Sequence, residues 1–200
     1  MERGGTITEG SASPLNDGAS AVLLGRDQAA AVIRVDPIAQ ITGRSVMALE
    51  PPAFGYAPGE AVNRVPARAG VGRDQVGAVE FNEVFAVQSV ACIDARKVNP
   101  GRVNQKGGAI AIGHPLGASA RHVLATAAKV LREAGSVTRR RELFPAGQGR
   151  AEVVENCGGT EVEQRPGGHR RERGCVGRTG IEHGATDLVV GFGLAGMPFD

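Results

Sequence analysis

Residues 107–135 read GGAIAIGHPLGASARHVLATAAKVLREAG, and the hydrophobic pattern of this stretch changes twice. A short apolar run predicts a strand, a tight Gly-His-Pro-Leu-Gly turn follows it, and an alanine-rich segment with helical spacing comes next. The stretch therefore predicts a strand, a turn and a long helix. His114 lies on the turn directly before the helix, a position from which side chains commonly face a functional site.

Strand and helix patterns also alternate upstream of this stretch. They predict strands at 37–49 and 76–81, helices at 60–70 and 83–97, and a returning strand at 103–112. Alternation of this kind favours an α/β fold, in which helices cover the faces of a layered sheet. Pro66 lies inside the first helix pattern, where a proline costs about 3 kcal/mol, so we expect that helix to kink or to start late.

The predicted helix at 83–97 carries its apolar residues in a stripe that we expect to be buried. The stripe consists of Val84, Phe85, Val87, Val90, Ala91 and Ile93. Asn82 comes directly before this helix and could cap it, because an asparagine side chain accepts hydrogen bonds from the first free N–H groups.

Composition indicates a globular chain that binds neither nucleic acid nor a membrane. At 200 residues, 42% of them hydrophobic, the chain is long enough for one domain, or for one domain and a fragment. A net charge of +2 indicates no nucleic-acid partner.

The three cysteines of the chain, Cys92, Cys157 and Cys175, match no zinc or disulfide pattern, so we expect no metal and a reducing compartment. No apolar run approaches the roughly 20 residues that span a bilayer, and the N-terminus lacks the apolar core of a signal peptide. We therefore expect a cytoplasmic protein with no membrane association.

Arginine and glycine dominate the chain from Ser136 onward, in runs such as RRR and RPGGHRRERG. A segment of this composition cannot bury enough apolar surface to order itself. We therefore expect it to be largely disordered.

Three segments, taken in order, resemble the C-terminal part of a thiolase. They are GTITEGSASPLNDGASAVLL, FNEVFAVQSVA and VNQKGGAIAIGHPLGASA. Thiolases are acyl-CoA acyltransferases that make or cleave 3-ketoacyl-CoA, and the resemblance is closest to the β-ketoadipyl-CoA thiolases of aromatic catabolism. The resemblance implies an incomplete thiolase-like layered α-β-α domain, acyl-CoA and CoA as ligands, and an oligomer or a thiolase N-terminal half as partner.

The resemblance also divides the chain. Residues 1–26 resemble the end of a thiolase N-terminal domain, and 27–156 resemble the C-terminal domain, with a disruption at 136–146. Residues 157–184 are expected to be a disordered linker. The tail at 185–200, with DLVVGFGLAGMPFD, resembles the start of a 3-oxoacid CoA-transferase α subunit.

Five residues acquire roles from the thiolase resemblance. His114 matches the histidine that lies beside a reactive cysteine and helps to deprotonate it, which suits a group titrating near neutral pH. Asn82 matches the asparagine that holds a water and, with the histidine, stabilises the enolate oxygen of acetyl-CoA. Ser13 and Phe85 match positions along the pantetheine arm, and Gly113 allows the substrate to approach closely. The resemblance implies a CoA thioester as substrate and no separate cofactor.

Structural alternatives remain open for these residues. Without its motif, His114 would be a hydrogen-bonded turn residue, and Asn82 could cap a helix. Phe85 by itself would be a core residue, and Ser13 a turn hydroxyl.

The chain departs from the family at its cysteines. The nucleophilic cysteine belongs to an N-terminal half with no counterpart here, and Leu143 aligns where the proton-transferring cysteine belongs. Leucine cannot transfer a proton. Lys106 and Arg121 also depart from the family; they could attract CoA phosphates, but solvated surface charge is the favoured interpretation of both.

Two functional hypotheses follow. The first is a thiolase-family acyltransferase fragment, with 3-oxoadipyl-CoA as the favoured substrate, that is inactive alone. The second is a noncatalytic interaction module that pairs with itself or with a thiolase subunit, since a half-subunit would expose an apolar face.

Overall fold

The computed structural model describes residues 4–26, 29, 32, 34, 37–133, 141–146, 150–156 and 187–195. Its strands are β1 (Ala19–Arg26), β2 (Ala39–Val46), β3 (Val76–Val79), β4 (Arg141–Ala146), β5 (Arg150–Asn156) and β6 (Asp187–Ala195). Its helices are α1 (Ala57–Ala69), α2 (Ala86–Arg96), α3 (Ala109–Ile112) and α4 (Ser119–Glu133). Short 3₁₀ turns lie at Glu9–Ser11, Pro51–Tyr56, Arg73–Gln75 and Pro100–Arg102. The disorder expected at 157–184 concerns residues outside these ranges.

The six described strands form one sheet in the order β1-β6-β2-β5-β4-β3. The β3–β4 pair is parallel, and the other pairs are antiparallel. Strands β4, β5 and β6 lie in the region after Ser136 for which composition predicted little order, and the rest of that region lies outside the described residues. Strand β6 belongs to the predicted CoA-transferase-like tail, and it pairs with both β1 and β2.

Helices cover both faces of the sheet, which confirms the predicted layered α/β fold. Val153 and Val154 on β5 are both fully buried, and neighbouring residues of a strand point to opposite faces. Val153 packs in a cluster with Val65 of α1, whereas Val154 packs in a second cluster with Leu131 of α4. The two helices therefore lie on opposite sides of β5.

Helix α4 follows the predicted pattern closely. Leu124, Ala127, Ala128 and Leu131 recur at helical spacing, and all four are buried against the sheet. Alanine side chains on this face let the helix backbone approach β4 and β5 closely. Strand β2 likewise shows the predicted alternation, with Ala39 and Ile41 buried and Gln40 between them partly exposed.

The prediction of a late start for the helix around Pro66 is wrong. Helix α1 begins at Ala57, before the predicted Glu60, and its assigned range includes Pro66. Ala61 and Val65 are fully buried in this helix. Burying one valine side chain contributes about 1.5–3 kcal/mol, which is comparable with the roughly 3 kcal/mol that an interior proline costs.

The predicted apolar stripe on α2 is also wrong. Val87 and Val90 are 49% and 57% exposed, whereas Cys92 and Arg96 are buried. The buried face carries Arg96, whose guanidinium lies 5.7 Å from the centre of the Tyr56 ring and 3.6 Å from a carboxylate oxygen of Glu60.

The strand predicted at 103–112 does not form. Val103 makes a single parallel bridge to Val79, and the apolar run at 109–112 is the short helix α3. The N–H of Ile110 donates to a Glu83 carboxylate oxygen, at 3.3 Å, instead of to a neighbouring strand. None of the helices in the described ranges is long and apolar enough to cross a membrane.

Candidate functional site

Asn82 and His114 come together at the carboxyl end of β3. Asn82 follows this strand and is buried, with 6% of its surface exposed, and His114 lies on the turn between α3 and α4. Asn82 Nδ2 lies 3.4 Å from His114 Nε2. The two residues that the thiolase motifs single out for catalysis are therefore neighbours in space.

Asn82 does not cap α2, so that structural alternative is wrong. The helix begins at Ala86, with Phe85 in extended conformation at the cap position, instead of at the predicted Glu83. No side-chain hydrogen bond caps this end of the helix. The Asn82 amide is consequently free to face His114.

The N-terminal segment brings Ser13 to the same place. The Ser13 N–H and hydroxyl both donate to the carbonyl oxygen of Val84, at 3.0 and 3.3 Å. Ala12 forms an antiparallel bridge with Phe85, which is partly buried. Ser13 and Phe85, the two predicted pantetheine positions, therefore lie beside each other at the edge of the site.

Gly113 lies in the turn that carries the histidine, and its position requires a glycine. Its φ of +99° is unfavourable for residues with a Cβ, and a Cβ built there would lie 2.5 Å from Asn16 Oδ1. The next N–H, that of His114, donates to the carbonyl oxygen of Pro14 at 2.9 Å. The N-terminal segment thus packs directly against the histidine turn, and Ser20 Oγ extends this contact by donating to the Ala118 carbonyl oxygen at 2.9 Å.

The His114 ring is held at both nitrogens. Nδ1 lies 2.7 Å from Ser119 Oγ at the start of α4, and Nε2 faces Asn82. Partial burial lowers the pKa of His114 below its ordinary value, because the charged imidazolium loses hydration. The ring is therefore mainly neutral at pH 7, as a general base must be.

Glu83 and Asn104 support the loops around the site, and sequence reasoning gave them no role. The Asn104 amide pairs with both backbone groups of Phe81, at 2.7 and 2.9 Å, and also donates to Glu83 Oε1 at 2.7 Å. Glu83 in turn accepts from the Ile110 N–H. Both residues lie in the quoted thiolase-like segments, Glu83 in FNEVFAVQSVA and Asn104 in VNQKGGAIAIGHPLGASA, which were usable signals, although the Asn104 φ of +47° leaves no mark in a single sequence.

Two basic residues near the site are engaged by the chain itself. Lys106 Nζ lies 2.7 Å from Glu133 Oε2, and Arg121 Nη1 donates to the Gly117 carbonyl oxygen at 2.7 Å. Both side chains are exposed. Of the two interpretations made from the sequence, these contacts support surface charges over a CoA phosphate site.

The cysteines are not brought to His114 within the described part of the chain. Cys92 is buried on α2, with its sulfur 3.9 Å from the Gly55 carbonyl oxygen, and burial raises the pKa of its thiol. Leu143, aligned with the proton-transferring cysteine, lies in β4 between Val79 and Val153. Cys157 and Cys175 lie outside the described ranges.

Comparison with known proteins agrees with this geometry. Residues 35–156 match the model of the thiolase C-terminal domain, which covers more than half of the chain. Over 133 residues, the chain is 40% identical to the beta-ketoadipyl-CoA thiolase of Acinetobacter baylyi, covering 66% of this chain and 33% of that protein. The chain thus spans about a third of the length of the curated relatives it matches.

Solved structures give the same result. The chain matches a Bacillus anthracis acetyl-CoA acetyltransferase with a TM-score of 0.71 and 26% identity. It matches human mitochondrial 3-ketoacyl-CoA thiolase with a TM-score of 0.70 and 32% identity. Each match covers 78% of this chain and 40% of the other. The resemblance carried by the three sequence motifs is therefore confirmed, and the chain belongs to the thiolase family, of which it carries the C-terminal domain.

Proposed function

We propose that this chain supplies the histidine and asparagine of a thiolase site for 3-ketoacyl-CoA and free CoA. The 3.4 Å approach of Asn82 to His114 carries the proposal, because it unites two motif residues that are 32 positions apart. The 3-oxoadipyl thioester is the favoured substrate, as the name of the Acinetobacter baylyi relative suggests. We propose no cofactor besides the CoA substrates, and a cytoplasmic location.

The chemistry follows from the two side chains. A neutral His114 accepts the proton of a cysteine thiol through Nε2, and the resulting thiolate attacks the 3-keto carbonyl. The sulfur–carbon bond forms as the bond between C2 and C3 breaks, and acetyl-CoA leaves as its enolate, which takes its proton from solvent because Leu143 replaces the proton-transferring cysteine. Asn82 then holds a water that, with the histidine, stabilises the enolate oxygen of acetyl-CoA. Losing one preorganised donor of this kind typically costs about 3–4 kcal/mol of transition-state stabilisation.

We further propose that the 200-residue chain is inactive by itself. Leu143 occupies the aligned position of the proton-transferring cysteine and carries no ionisable group. Within the described residues, the one cysteine is Cys92, which is buried against Gly55. We propose that the thiol for His114 comes instead from a thiolase N-terminal segment, the partner expected from the resemblance.

The experiment measures acylation in trans. The chain is mixed with a thiolase N-terminal segment that bears the nucleophilic cysteine, and acylation of that cysteine by 3-oxoadipyl-CoA and acetoacetyl-CoA is followed by mass spectrometry. His114→Ala should slow acylation by about 10²- to 10⁴-fold, the usual contribution of a general base. Leu116→Ala, in the same turn and 70% exposed, is the matched control.

Three results would contradict these proposals. Equal acylation with wild-type chain and His114→Ala would remove the proposed role of the histidine. Turnover by the isolated chain, lost in His114→Ala, would contradict inactivity. Preference for acetoacetyl-CoA would contradict the substrate assignment alone.

An exposed apolar surface favours a second function, that of an interaction module. Phe54, Val87 and Val90 are 65%, 49% and 57% exposed, and the segment carrying Phe54 packs on α2, because Gln88 donates to the Gly55 carbonyl oxygen at 2.8 Å. We propose that this surface mediates pairing with a second copy of the chain. Light scattering should show a dimer of the wild-type chain and a monomer of the Val90→Glu variant. A wild-type monomer that binds a thiolase subunit would contradict self-pairing and would favour the thiolase subunit as the partner.

A further inference from the structure

A continuous series of hydrogen bonds runs through the His114 ring. Asn82 Nδ2 lies 3.4 Å from Nε2, and Nδ1 lies 2.7 Å from Ser119 Oγ. Ser119 Oγ lies a further 3.0 Å from the carbonyl oxygen of Pro115, one helical turn back. Ser119 is buried, with 6% of its surface exposed, so water does not compete freely for its hydroxyl.

The direction of the series follows from counting protons. A serine hydroxyl has one proton, and a carbonyl oxygen can only accept, so the bond to Pro115 uses the Ser119 proton. The Ser119 oxygen must then accept from His114 Nδ1, which therefore carries the ring proton. Nε2 is left with its lone pair, which is what the N–H group of Asn82 requires.

We infer that Ser119 is a positioning residue that holds neutral His114 in the Nδ1–H tautomer, with the Nε2 lone pair directed into the site. Sequence analysis gave Ser119 no role. The inference rests on the proposed function, in which His114 is the base, because only an unprotonated Nε2 can take a proton from a thiol. The tautomer itself is a property of this chain without any substrate.

The experiment reads the tautomer directly. In ¹⁵N-labelled full-length chain, long-range ¹H–¹⁵N spectra recorded above the His114 titration distinguish a protonated from an unprotonated ring nitrogen. The wild-type chain should show an unprotonated Nε2 and a protonated Nδ1. Ser119→Ala should lower the ratio of Nδ1–H to Nε2–H by about fivefold, the equivalent of one ordinary hydrogen bond, and Ser119→Thr should restore it.

Ser89→Ala is a matched control. The Ser89 hydroxyl is also buried at the start of a helix and also bonds the carbonyl oxygen four residues back, that of Phe85, at 3.1 Å. Its removal costs the same kind of bond and should leave the His114 tautomer unchanged.

The inference is overturned if wild-type His114 carries its proton on Nε2, a result that needs no variant and therefore does not depend on folding of Ser119→Ala. It is also overturned if Ser119→Ala and Ser89→Ala leave the same tautomer ratio. Either result would overturn the inference whatever the acylation rates are, whereas failed acylation with the expected tautomer would contradict the proposed function alone.

Discussion

Asn82 Nδ2 and His114 Nε2 lie 3.4 Å apart, although 32 positions separate the two residues in the chain. The asparagine follows a buried strand, whereas the histidine follows a glycine with positive φ. Because the two side chains come from different loops, each loop must be correctly folded before the pair exists. Because the Asn82 amide lies beside the His114 ring, the pKa of His114 depends on which group occupies position 82.

The Asn82→Asp substitution tests this relationship. A carboxylate placed within about 4 Å of an imidazole favours the imidazolium, so the pKa of His114, which burial lowers in the wild-type chain, should rise. NMR titration of the His114 ring protons measures the change. Asn99→Asp, at an exposed turn, is the control, and equal His114 titrations in both variants would mean that Asn82 does not face the ring in solution.

Glu80 should make the stability of the fold depend on pH. It is 3% exposed, and burial together with the Glu83 carboxylate raises its pKa from 4.5 to about 7. A raised carboxyl pKa contributes stability that is complete below pH 4.5 and is lost as the pH rises through about 7. Relative to the wild-type chain, Glu80→Gln should therefore gain up to roughly 3 kcal/mol in free energy of unfolding between pH 4 and pH 8.

Urea unfolding at several pH values measures this gain. Glu50→Gln, at an exposed position, serves as the control substitution. Parallel stability profiles for the wild-type chain and Glu80→Gln would show that the Glu80 carboxyl is not desolvated in the folded state.

Leu131 holds α4 against the sheet. It is 1% exposed and packs with Ile41 of β2 and Val154 of β5. Leu131→Ala should lower the free energy of unfolding by about 2–5 kcal/mol, since the truncated side chain leaves a cavity. Urea unfolding provides the measurement, and Leu116→Ala should change stability by less than about 0.5 kcal/mol, because Leu116 is largely exposed. Similar losses in both variants would argue against the packing described.

Lys106 should control the ionisation of Glu133. Its ammonium lies 2.7 Å from Glu133 Oε2, and this hydrogen bond is the largest cause of the lowered pKa of Glu133. Lys106→Ala should therefore raise that pKa more than Lys129→Ala does, since Lys129 lies 3.8 Å from the same carboxylate. Carboxyl ¹³C titration distinguishes the two, and a larger effect of Lys129→Ala would contradict the prediction.

The sequence predicted best where burial and periodicity agree. Ala39 and Ile41 alternate with polar residues in β2, and Leu124 to Leu131 recur at helical spacing in α4, so both elements were predictable. On α2, the buried face contains Arg96, which Tyr56 and Glu60 engage. Such partners are distant in sequence, and a hydrophobic pattern contains no information about them.

The site was only partly predictable for a related reason. The thiolase-like motifs identified His114 and Asn82, whereas either residue type alone would have supported only its structural alternative. Ser119 and Asn104 act through hydrogen bonds whose geometry depends on how the loops fold, and serine and asparagine are common in loops generally. The place of β6 between β1 and β2 was likewise unpredictable, because long-range strand pairing depends on the whole sheet.

The N-terminal segment that packs on the histidine turn makes the site sensitive to the order of folding. The bond from Ser13 Oγ to Val84 closes a loop of 71 residues, and that from Ser20 to Ala118 closes one of 98. Contacts this distant in sequence form late, because closing the loop lowers the chain entropy and only the packed core offsets that loss. We therefore expect the His114 amide, bonded to Pro14, to exchange with solvent through partial openings that leave α4 protected. The candidate site would thus assemble late and open before the packed face of α4 does.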